Sequence, residues 1–270
     1  GIGMSALVRY FLAKGYKVAG YDRTQSPLTT ELKTEGLEIV YEESVESIPD
    51  YCRNPETTLV VYTPAIPASH AGLVYFREHG FRVVKRAELL GLITQSSKGL
   101  CFAGTHGKTT TSSMAAHIFH ESPIGCNAFL GGILRNYNSN LILSEQSPFT
   151  VIEADEYDRS FHWLHPYMAV VTATDPDHLD IYGTEEAYLE SFARFTSLIQ
   201  PGGCLIMKKG IKLVPSVKEN VKIYTYSARD GGDFHAGNIR IGDGTIVFDF
   251  VMPEGSVADI ELGVPVEINI

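Results

Sequence analysis

The hydrophobic positions in the first third of the chain alternate between amphipathic segments and short apolar runs. Apolar side chains between Leu7 and Leu12 fall on one face of a helix predicted over 6–14, and Gly15 ends it. The segments that follow are predicted as strands at 16–21, 37–40, 58–62 and 81–84 and as helices at 27–35, 69–79 and 86–95. Such alternation through short turns is typical of a parallel sheet covered by helices.

A second series of elements starts after the polar segment 96–99, which is predicted as a linker. Its predicted strands are 100–103, 149–154, 168–174 and 204–207, and its predicted helices are 109–120 and 185–199. Beyond Lys222 the pattern changes to short strands at 223–226, 238–241 and 245–251, with a hairpin turn at 242–244. The predicted fold class is therefore α/β in two domains, residues 1–97 and residues 98–270. The second domain is expected to have a mainly parallel sheet and an appended antiparallel region.

Composition and charge argue against several classes of protein. The chain has 270 residues, 44% of them hydrophobic, and its 22 basic and 32 acidic side chains give a net charge of −10. Nucleic acids and anionic membranes select for clustered positive charge, so neither is an expected partner. The four cysteines form no C-x-x-C pair. No apolar run approaches the roughly 18 residues of a membrane span. We expect a globular cytoplasmic protein without a disulfide framework.

One segment between a predicted buried strand and a predicted helix has the composition of a phosphate-binding loop. Its residues are Gly104, Thr105, His106, Gly107, Lys108, Thr109 and Thr110. Small residues there let backbone N–H groups face phosphate oxygens, and a helix N-terminus favours negative charge. Lys108 is placed to neutralise a β- or γ-phosphate, and Thr109 offers a hydroxyl to Mg²⁺. The pattern predicts a nucleoside triphosphate site, although Phe102 stands where the general motif has its first glycine.

Two further segments place charged side chains directly after predicted strands. Glu153 lies at the end of the strand 149–154, and His178 follows the strand 168–174. Ligands of open α/β sheets bind at the carboxyl ends of strands, and hard cations prefer oxygen ligands. We therefore predict that Thr109 and Glu153 are metal ligands and that His178 binds either a metal or a phosphate; with all three at one nucleotide site, His178 is counted among the metal ligands. The neighbouring carboxylates are interpreted as a solvated acidic turn; they are Asp155, Glu156 and Asp158.

The chain opens on a glycine loop, residues 1–5, that enters the first predicted helix. In a nucleotide-binding βαβ unit such a loop follows a buried strand, so we expect the sequence to be a fragment that lacks this strand. Asp22, at the end of the strand 16–21, is placed for a ribose or base contact. Asn127 begins a run with Gly131 and Gly132 that either brings the backbone close to a ligand or forms an ordinary turn.

Together these motifs resemble those of the Mur ligase family. The resemblance rests on Gly-Thr-His-Gly-Lys-Thr-Thr-Thr at 104–111, Glu-Ala-Asp-Glu-Tyr-Asp at 153–158 and Asp-His-Leu-Asp at 177–180, behind Gly-Ile-Gly-Met-Ser at 1–5. It covers essentially the whole chain. It implies a Rossmann-like UDP-sugar-binding domain followed by a P-loop ATPase domain. A third, C-terminal domain of the family is expected to be absent from this sequence.

The resemblance also implies a reaction in peptidoglycan precursor synthesis. ATP would phosphorylate the lactyl carboxylate of UDP-N-acetylmuramate, and the amine of L-alanine would then attack the acyl phosphate to form an amide. The implied catalytic residues are Lys108, Glu153 and His178, and the implied cofactors are ATP and Mg²⁺. The nucleotide would lie on the loop 104–110. The implied substrate-binding residues are Gly1, Gly3, Met4, Ser5, Asp22, Thr63, Asn127, Arg159 and Ser160.

The identity of the added amine stays open at this point. Several family members that add later amino acids use a carbamylated lysine after the Asp-His motif, and residues 179–207 contain no lysine, which favours L-alanine. A related ligase that recycles a whole tripeptide onto UDP-N-acetylmuramate is the nearest alternative. A nucleotide-dependent binding protein without ligase chemistry is another. The glycine loop alone would suit a dehydrogenase, but the phosphate loop argues against that class.

Overall fold

The computed structural model describes residues 1–229, 231–242 and 244–263. Its first part contains the helices α1 (Ile2–Ala13), α2 (Pro27–Thr34), α3 (Ala71–Glu78) and α4 (Arg86–Gln95), and the strands β1 (Ala19–Tyr21), β2 (Glu38–Val40), β3 (Leu59–Tyr62) and β4 (Arg82–Lys85). Strand β1 pairs in parallel with β2, and β3 pairs in parallel with β4. The predicted strand at 16–21 begins late, because Tyr16 donates its backbone N–H to Phe11 O and so belongs to the end of α1.

The second part is built on one large sheet. Its helices are α5 (Lys108–Glu121), α6 (Leu179–Tyr182) and α7 (Glu185–Ser197), and its strands are β5 (Lys98–Ala103), β6 (Asn127–Leu134), β7 (Ser139–Ile142), β8 (Phe149–Glu153), β9 (Pro166–Val171), β10 (Cys204–Lys208), β11 (Lys222–Ser227), β12 (Phe234–Gly242), β13 (Thr245–Met252) and β14 (Gly255–Leu262). Short 3₁₀ segments lie at Asp50–Cys52 and Tyr157–Trp163. In the described residues the strand order is β14-β13-β12-β11-β10-β9-β5-β8-β6-β7.

This sheet is parallel in the middle and antiparallel at both ends. Strands β6, β8, β5, β9, β10, β11 and β12 pair in parallel, whereas β12, β13 and β14 pair antiparallel, as do β6 and β7. The predicted α/β fold, with a mainly parallel sheet and an appended antiparallel region, is confirmed. Part of the predicted hairpin turn at 242–244 lies outside the described residues, namely Asp243.

Two details of the sequence-based assignment are wrong. The strand at 223–226 was placed in the antiparallel region, but β11 is parallel to both of its neighbours. The segment 209–221 is long enough to return the chain to the same end of the sheet, which a parallel pair requires. The glycine run 127–132 is a strand rather than a turn, because the intervening Phe129 and Leu130 are buried in the core.

The first part of the chain packs directly on the large sheet. Ala6 and Leu7 of α1 and Leu89 and Leu90 of α4 belong to one buried cluster with residues of β5, β8 and β9. A hydrogen-bonded contact accompanies this packing, since the amide of Asn140 on β7 donates to Ile2 O at 2.7 Å. The carboxyl end of the sheet and the start of α1 and α4 are therefore held on one side of the molecule. In the part of the chain that the structure describes, no helix is long and apolar enough to cross a bilayer.

Candidate active site

The predicted phosphate loop connects the buried strand β5 to helix α5. Gly104 has a φ of 137° and Gly107 a φ of 83°, which L side chains rarely adopt. A Cβ on Gly104 would also lie 2.2 Å from the Thr172 hydroxyl oxygen and 2.8 Å from the Ala173 nitrogen. The loop therefore needs glycine at 104 because it lies directly against the end of β9.

Hydrogen bonds fix this loop to the segment after β9. The Thr105 hydroxyl donates to Asp175 O at 2.7 Å, and the Thr105 backbone N–H donates to Ala173 O at 3.1 Å. The Thr172 hydroxyl donates to His106 O. His106, Gly107, Thr109 and Thr110 remain exposed, and no side chain caps the N-terminus of α5. The free N–H groups of that helix end suit an anionic ligand such as a phosphate.

Lys108 is held inside this loop by two acceptors. Its ammonium donates to Gly104 O at 2.8 Å and to Glu156 Oε1 at 3.0 Å, and Glu156 Oε2 lies 2.9 Å from the same nitrogen. The side chain of Glu156 is 1% exposed. Burial raises the pKa of this carboxyl, and the nearby ammonium opposes that rise. The interpretation of Glu156 as part of a solvated acidic turn is therefore wrong.

Thr109 and Glu153 form a second pair at the mouth of the loop. The Thr109 hydroxyl lies 3.0 Å from each carboxylate oxygen of Glu153, and Gly131 N donates to Glu153 Oε2 at 3.1 Å. A Cβ on Gly131 would lie 2.3 Å from that oxygen. A carboxylate and a hydroxyl side by side fit the chemistry of Mg²⁺, which binds one or two carboxylates and keeps several waters.

His178 stands apart from this pair. Its backbone has a φ of 53°, and its ring contacts the ring of Tyr157 at 5.3 Å between centroids. Its Nδ1 lies 3.8 Å from Asp177 Oδ1. Among the described residues, no three His, Cys, Asp or Glu side chains group closely enough to hold a metal ion by themselves. Of the three predicted metal ligands, the hydrogen bonds thus connect Thr109 with Glu153 only.

The glycine loop at the start of the chain lies against the start of α4. A Cβ on Gly3 would be 2.5 Å from Arg86 Nη1, and Arg86 Nη2 lies 3.9 Å from Asp155 Oδ2. The Gly1 nitrogen is 3.4 Å from Asp22 Oδ2. Arg86 therefore lies between the glycine loop and the acidic segment, although nothing in the sequence pattern singled it out.

The other predicted substrate-binding residues have varied surroundings. Ser5 is fully buried and donates its hydroxyl to Ile2 O at 2.7 Å, and Met4 is half-buried against the main core. Thr63 follows β3 and accepts the backbone N–H of Ile66. The side-chain oxygen of Asn127 accepts Ser144 N at 3.0 Å.

Arg159 and Ser160 lie in the 3₁₀ segment that follows the acidic residues. Arg159 has a φ of 54°, and its guanidinium lies over the ring of Tyr182, 4.7 Å from the centroid. Lys85, the last residue of β4, pairs with Asp158 at 2.8 Å. The segment is thereby tied both to the first part of the chain and to α6.

A cavity of about 330 Å³ opens beside the phosphate loop. Its walls are the ends of β9 and β10, with Asp175 on one side and Lys208 and Lys209 on the other. The cavity extends the carboxyl edge of the sheet, where ligands of open α/β folds bind.

Sequence comparisons match this chain to known proteins over nearly all of its length. The family model described as the Mur ligase family, catalytic domain, matches residues 1–98, and the Mur ligase middle domain matches residues 102–270. The chain is 67% identical over 270 residues to a UDP-N-acetylmuramate–L-alanine ligase from Parabacteroides distasonis and 66% identical to one from Phocaeicola vulgatus. These alignments cover 100% of this chain but 58% and 59% of the two relatives.

Solved structures with the same fold are more distant in sequence. A UDP-N-acetylmuramate-alanine ligase from Thermotoga maritima superposes with a TM-score of 0.80 at 23% identity, covering 98% of this chain and 59% of that one. A UDP-N-acetylmuramate:L-alanyl-γ-D-glutamyl-meso-diaminopimelate ligase from Neisseria meningitides gives 0.84 at 20% identity, covering 100% and 87%. At this identity the likeness concerns the fold. With both family models matched over nearly all of its length, the chain belongs to the Mur ligase family.

Proposed function

We propose that this chain forms the nucleotide-sugar-binding and ATP-binding parts of a ligase that joins L-alanine to UDP-N-acetylmuramate. One observation carries the proposal: Lys108 and the Thr109–Glu153 pair converge at the loop 104–110. The relatives named UDP-N-acetylmuramate–L-alanine ligase share 67% and 66% of this chain's residues. Because the chain spans 58% and 59% of their length, the activity of the whole protein is inferred from them.

The proposed division into domains places residues 1–97 on the nucleotide sugar and residues 98–270 on ATP. The two family models, which match 1–98 and 102–270, support a boundary near residue 97. We also propose a cytoplasmic location. The cysteines support it, because all four are free thiols and reduced thiols persist in that compartment.

On the ATP side, the loop 104–110 would hold the phosphates through its backbone N–H groups and the start of α5. Lys108 would neutralise charge on the transferring phosphoryl group. Thr109 and Glu153 would hold Mg²⁺, which when bound supplies positive charge to the phosphate oxygens. His178 stands apart from this pair, so its part as a metal ligand stays a prediction. Gly131 keeps the Glu153 carboxylate in place by donating its N–H and by leaving room for the oxygen.

On the sugar side, the proposed contacts are the glycine loop and Asp22 in the first part of the chain. The start of α1, at Ile2, offers uncapped N–H groups that suit a diphosphate. Further proposed contacts to the substrate are Thr63, Asn127, Arg159 and Ser160. Ser5 is fully buried, so its proposed contribution is to position the loop by bonding to Ile2 O.

The proposed reaction has two steps. A lactyl carboxylate oxygen attacks the γ-phosphorus of ATP, ADP leaves, and an acyl phosphate forms. The amine of L-alanine then attacks the acyl carbon, inorganic phosphate leaves, and the nitrogen loses a proton to give the amide. With the phosphates on the loop, the Lys108 ammonium would face the negative charge that builds up on the transferring phosphate, and such preorganised charge is a large contribution to phosphoryl transfer.

The nearest alternative differs only in the amine. A ligase that recycles a whole tripeptide would use the same loop and the same carboxylates, and one neighbour in fold carries that name at 20% identity. The high identity to relatives named for L-alanine favours the single amino acid. Against a nucleotide-binding protein without ligase chemistry, we propose that Lys108, Glu153 and His178 together serve a reaction, because a protein that only binds the nucleotide needs no second metal cluster.

Calorimetric titration of UDP-N-acetylmuramate into this chain, with a nonhydrolysable ATP analogue and Mg²⁺, tests the substrate assignment. UDP-N-acetylglucosamine, which lacks the lactyl carboxylate, is the control. We expect saturable binding of the muramate compound and at least tenfold weaker binding of the control, the difference of about 1.4 kcal/mol that one charged contact supplies. Equal binding of the two sugars, or binding of neither by folded protein, would contradict the assignment.

A further inference from the structure

The buried carboxylate of Glu156 has no role in the function proposed above, although it contacts the loop lysine directly. It lies three residues beyond Glu153 and is 1% exposed, whereas the side chain of Lys108 is 16% exposed. The Glu156 backbone is fixed as well, since the hydroxyl of the buried Tyr182 donates to Glu156 O at 2.5 Å. The ammonium of Lys108 thus contacts a buried acceptor whose backbone is held by a hydrogen bond.

The donors of Lys108 are divided between protein and ligand. An ammonium group has three N–H donors. One is taken by Gly104 O and one by Glu156 Oε1, and both acceptors lie on the protein side of the loop. Among the described residues the third donor has no acceptor of its own, since Glu156 Oε2 lies near the nitrogen without forming a hydrogen bond of good geometry, and this donor can bind a phosphate on the loop. Two fixed acceptors hold the Lys108 nitrogen in place before the ligand arrives. The lysine side chain therefore loses little conformational entropy when the ligand binds.

A contribution to the stability of the fold does not by itself explain why a carboxylate is buried at position 156. Its Oε2 lies 2.9 Å from the ammonium but is buried without a hydrogen bond of good geometry among the described residues. Buried ion pairs bring little net stability, and an apolar side chain of similar volume is often as good or better. A buried acceptor that is incompletely satisfied needs an explanation, and a functional partner provides one.

We propose that Glu156 is a positioning residue for phosphoryl transfer, which holds the Lys108 ammonium at the phosphate loop through its side-chain oxygen. This inference rests on the proposed function, because it requires that Lys108 act on ATP. Glu156 does not touch the nucleotide, and its effect passes entirely through Lys108.

The test compares Glu156→Met with Glu156→Gln in a protein of the relatives' full length that contains this chain. Methionine fills a similar volume without an acceptor, and glutamine keeps an acceptor oxygen at the same place. For Glu156→Met we expect kcat for ADP formation to fall about 30-fold, since a displacement of about 1 Å costs on the order of 100-fold. Glu156→Gln should keep at least about a third of the wild-type kcat, because the lysine is still held.

A double-mutant cycle separates this role from a purely structural one. The affinity for a nonhydrolysable ATP analogue with Mg²⁺ is measured for wild type, Glu156→Met, Lys108→Met and the double variant. Glu156→Met should weaken binding about threefold to tenfold in the wild-type background and less than about twofold when Lys108 is absent. An unchanged affinity for UDP-N-acetylmuramate shows that each variant is folded.

Each result has a definite meaning. Three results together support the positioning role. Glu156→Met loses kcat, Glu156→Gln largely keeps it, and Glu156→Met does not change the affinity for the ATP analogue when Lys108 is already replaced by methionine. An equal loss in both Glu156 variants, an effect that persists without Lys108, or no loss at all would overturn that role. If Lys108→Met keeps its kcat, the proposed function of Lys108 is wrong. If Lys108→Met is inactive and Glu156→Met has a normal kcat, only the positioning role of Glu156 is wrong.

Discussion

The hydroxyl of Thr109 lies 3.0 Å from both carboxylate oxygens of Glu153, across the carboxyl edge of the large sheet. Thr109 is in the first turn of α5, and Glu153 is the last residue of β8. Strand β8 is the direct neighbour of β5, which leads into the phosphate loop. The pairing of these two parallel strands therefore sets the distance between the loop and the carboxylate proposed to share its metal ion.

Replacing Gly131 with alanine should disrupt this arrangement. The new Cβ would lie 2.3 Å from Glu153 Oε2, so the carboxylate would have to move away from Thr109. We expect Mg²⁺-dependent binding of an ATP analogue to weaken by about tenfold or more, since metal sites lose on the order of 10–100-fold when a supporting contact is lost. Titration calorimetry with and without Mg²⁺ measures the effect.

Gly132→Ala is the matched control for that variant. Its Cβ would meet only the Thr109 methyl carbon, at an ordinary contact distance of 3.4 Å. We expect wild-type binding within about twofold, because such a contact requires no movement. If Gly131→Ala bound the analogue as well as Gly132→Ala does, Glu153 would not be the group that connects metal and nucleotide.

Replacing Lys108 with alanine should remove catalysis, and an unchanged affinity for UDP-N-acetylmuramate would show that the variant is folded. The ammonium lies inside the loop that is proposed to hold the phosphates, and loss of one such charged group costs on the order of 100–1,000-fold in kcat. Lys98→Ala is the control at the other end of β5, where the ammonium lies over the rings of Phe149 and Tyr167. ADP release, followed in a protein of the relatives' full length, should be lost only in the first variant. Retained turnover in Lys108→Ala would remove this lysine from the mechanism.

The sequence predicted those parts of the site that short-range patterns encode. The loop 104–110 and Glu153 follow buried strands, so their place at the sheet edge could be deduced from periodicity and chain order. Glu156 was assigned to a solvated turn, because a run of carboxylates gives no sign of which one faces a lysine 48 positions earlier in the chain. Arg86 was missed for the same reason, since its contact with Gly3 depends on how α4 packs beside α1.

For the fold, too, the sequence predicted the elements with a strong local signal and missed those that depend on contacts between distant segments. The strands β3 and β5 and the helices α2 and α7 have their predicted places within a few residues. Strand β6 was missed because its two glycines weaken the strand signal, and its pairing with β8 supplies what the local sequence does not. The predicted antiparallel direction of β11 was wrong, because the direction of a strand depends on the path of the connecting segment and not on the sequence of the strand itself.

The contact between α1 and β7 should contribute measurably to stability. Asn140 is fully buried and donates to Ile2 O at 2.7 Å, while its oxygen accepts Arg9 Nη1 at 3.1 Å. Asn140→Ala would remove both hydrogen bonds, although Ile2 O would keep the hydroxyl of Ser5. At about 0.5–1.5 kcal/mol for each lost bond, we expect the free energy of unfolding to fall by about 1–3 kcal/mol. Urea denaturation measures this change. Asn136→Ala, at a nearby exposed position, should change stability by less than about 0.5 kcal/mol, and equal effects of the two variants would contradict the assignment.

The half-buried ring of His162 should make stability depend on pH. Burial lowers the pKa of His162, and the charges of Arg194 and Arg159 lower it further, although its bond to Ser191 O acts in the opposite direction. A group with a lowered pKa takes up a proton more readily when the chain is unfolded. The contribution of neutral His162 to the free energy of unfolding is therefore fully present above the ordinary pKa of 6.5 and is lost as the pH falls below that value.

This dependence can be measured by urea denaturation of wild type and His162→Gln at pH 8 and at several values below 6.5. Glutamine cannot take up a proton, so we expect the stability difference between the two proteins to shift in favour of the variant as the pH falls. A difference that stays constant across this range would show that protonation of His162 is not coupled to unfolding.

The central claim is that this chain belongs to a ligase that adds L-alanine to UDP-N-acetylmuramate at the expense of ATP. The most direct test measures ADP release by a protein of the relatives' full length containing this chain, with UDP-N-acetylmuramate and either L-alanine or the tripeptide L-alanyl-γ-D-glutamyl-meso-diaminopimelate as the amine. We expect turnover that requires the nucleotide sugar and L-alanine together, with the tripeptide a poor substitute. Turnover with the tripeptide and none with L-alanine, or ADP release that needs no amine, would contradict it.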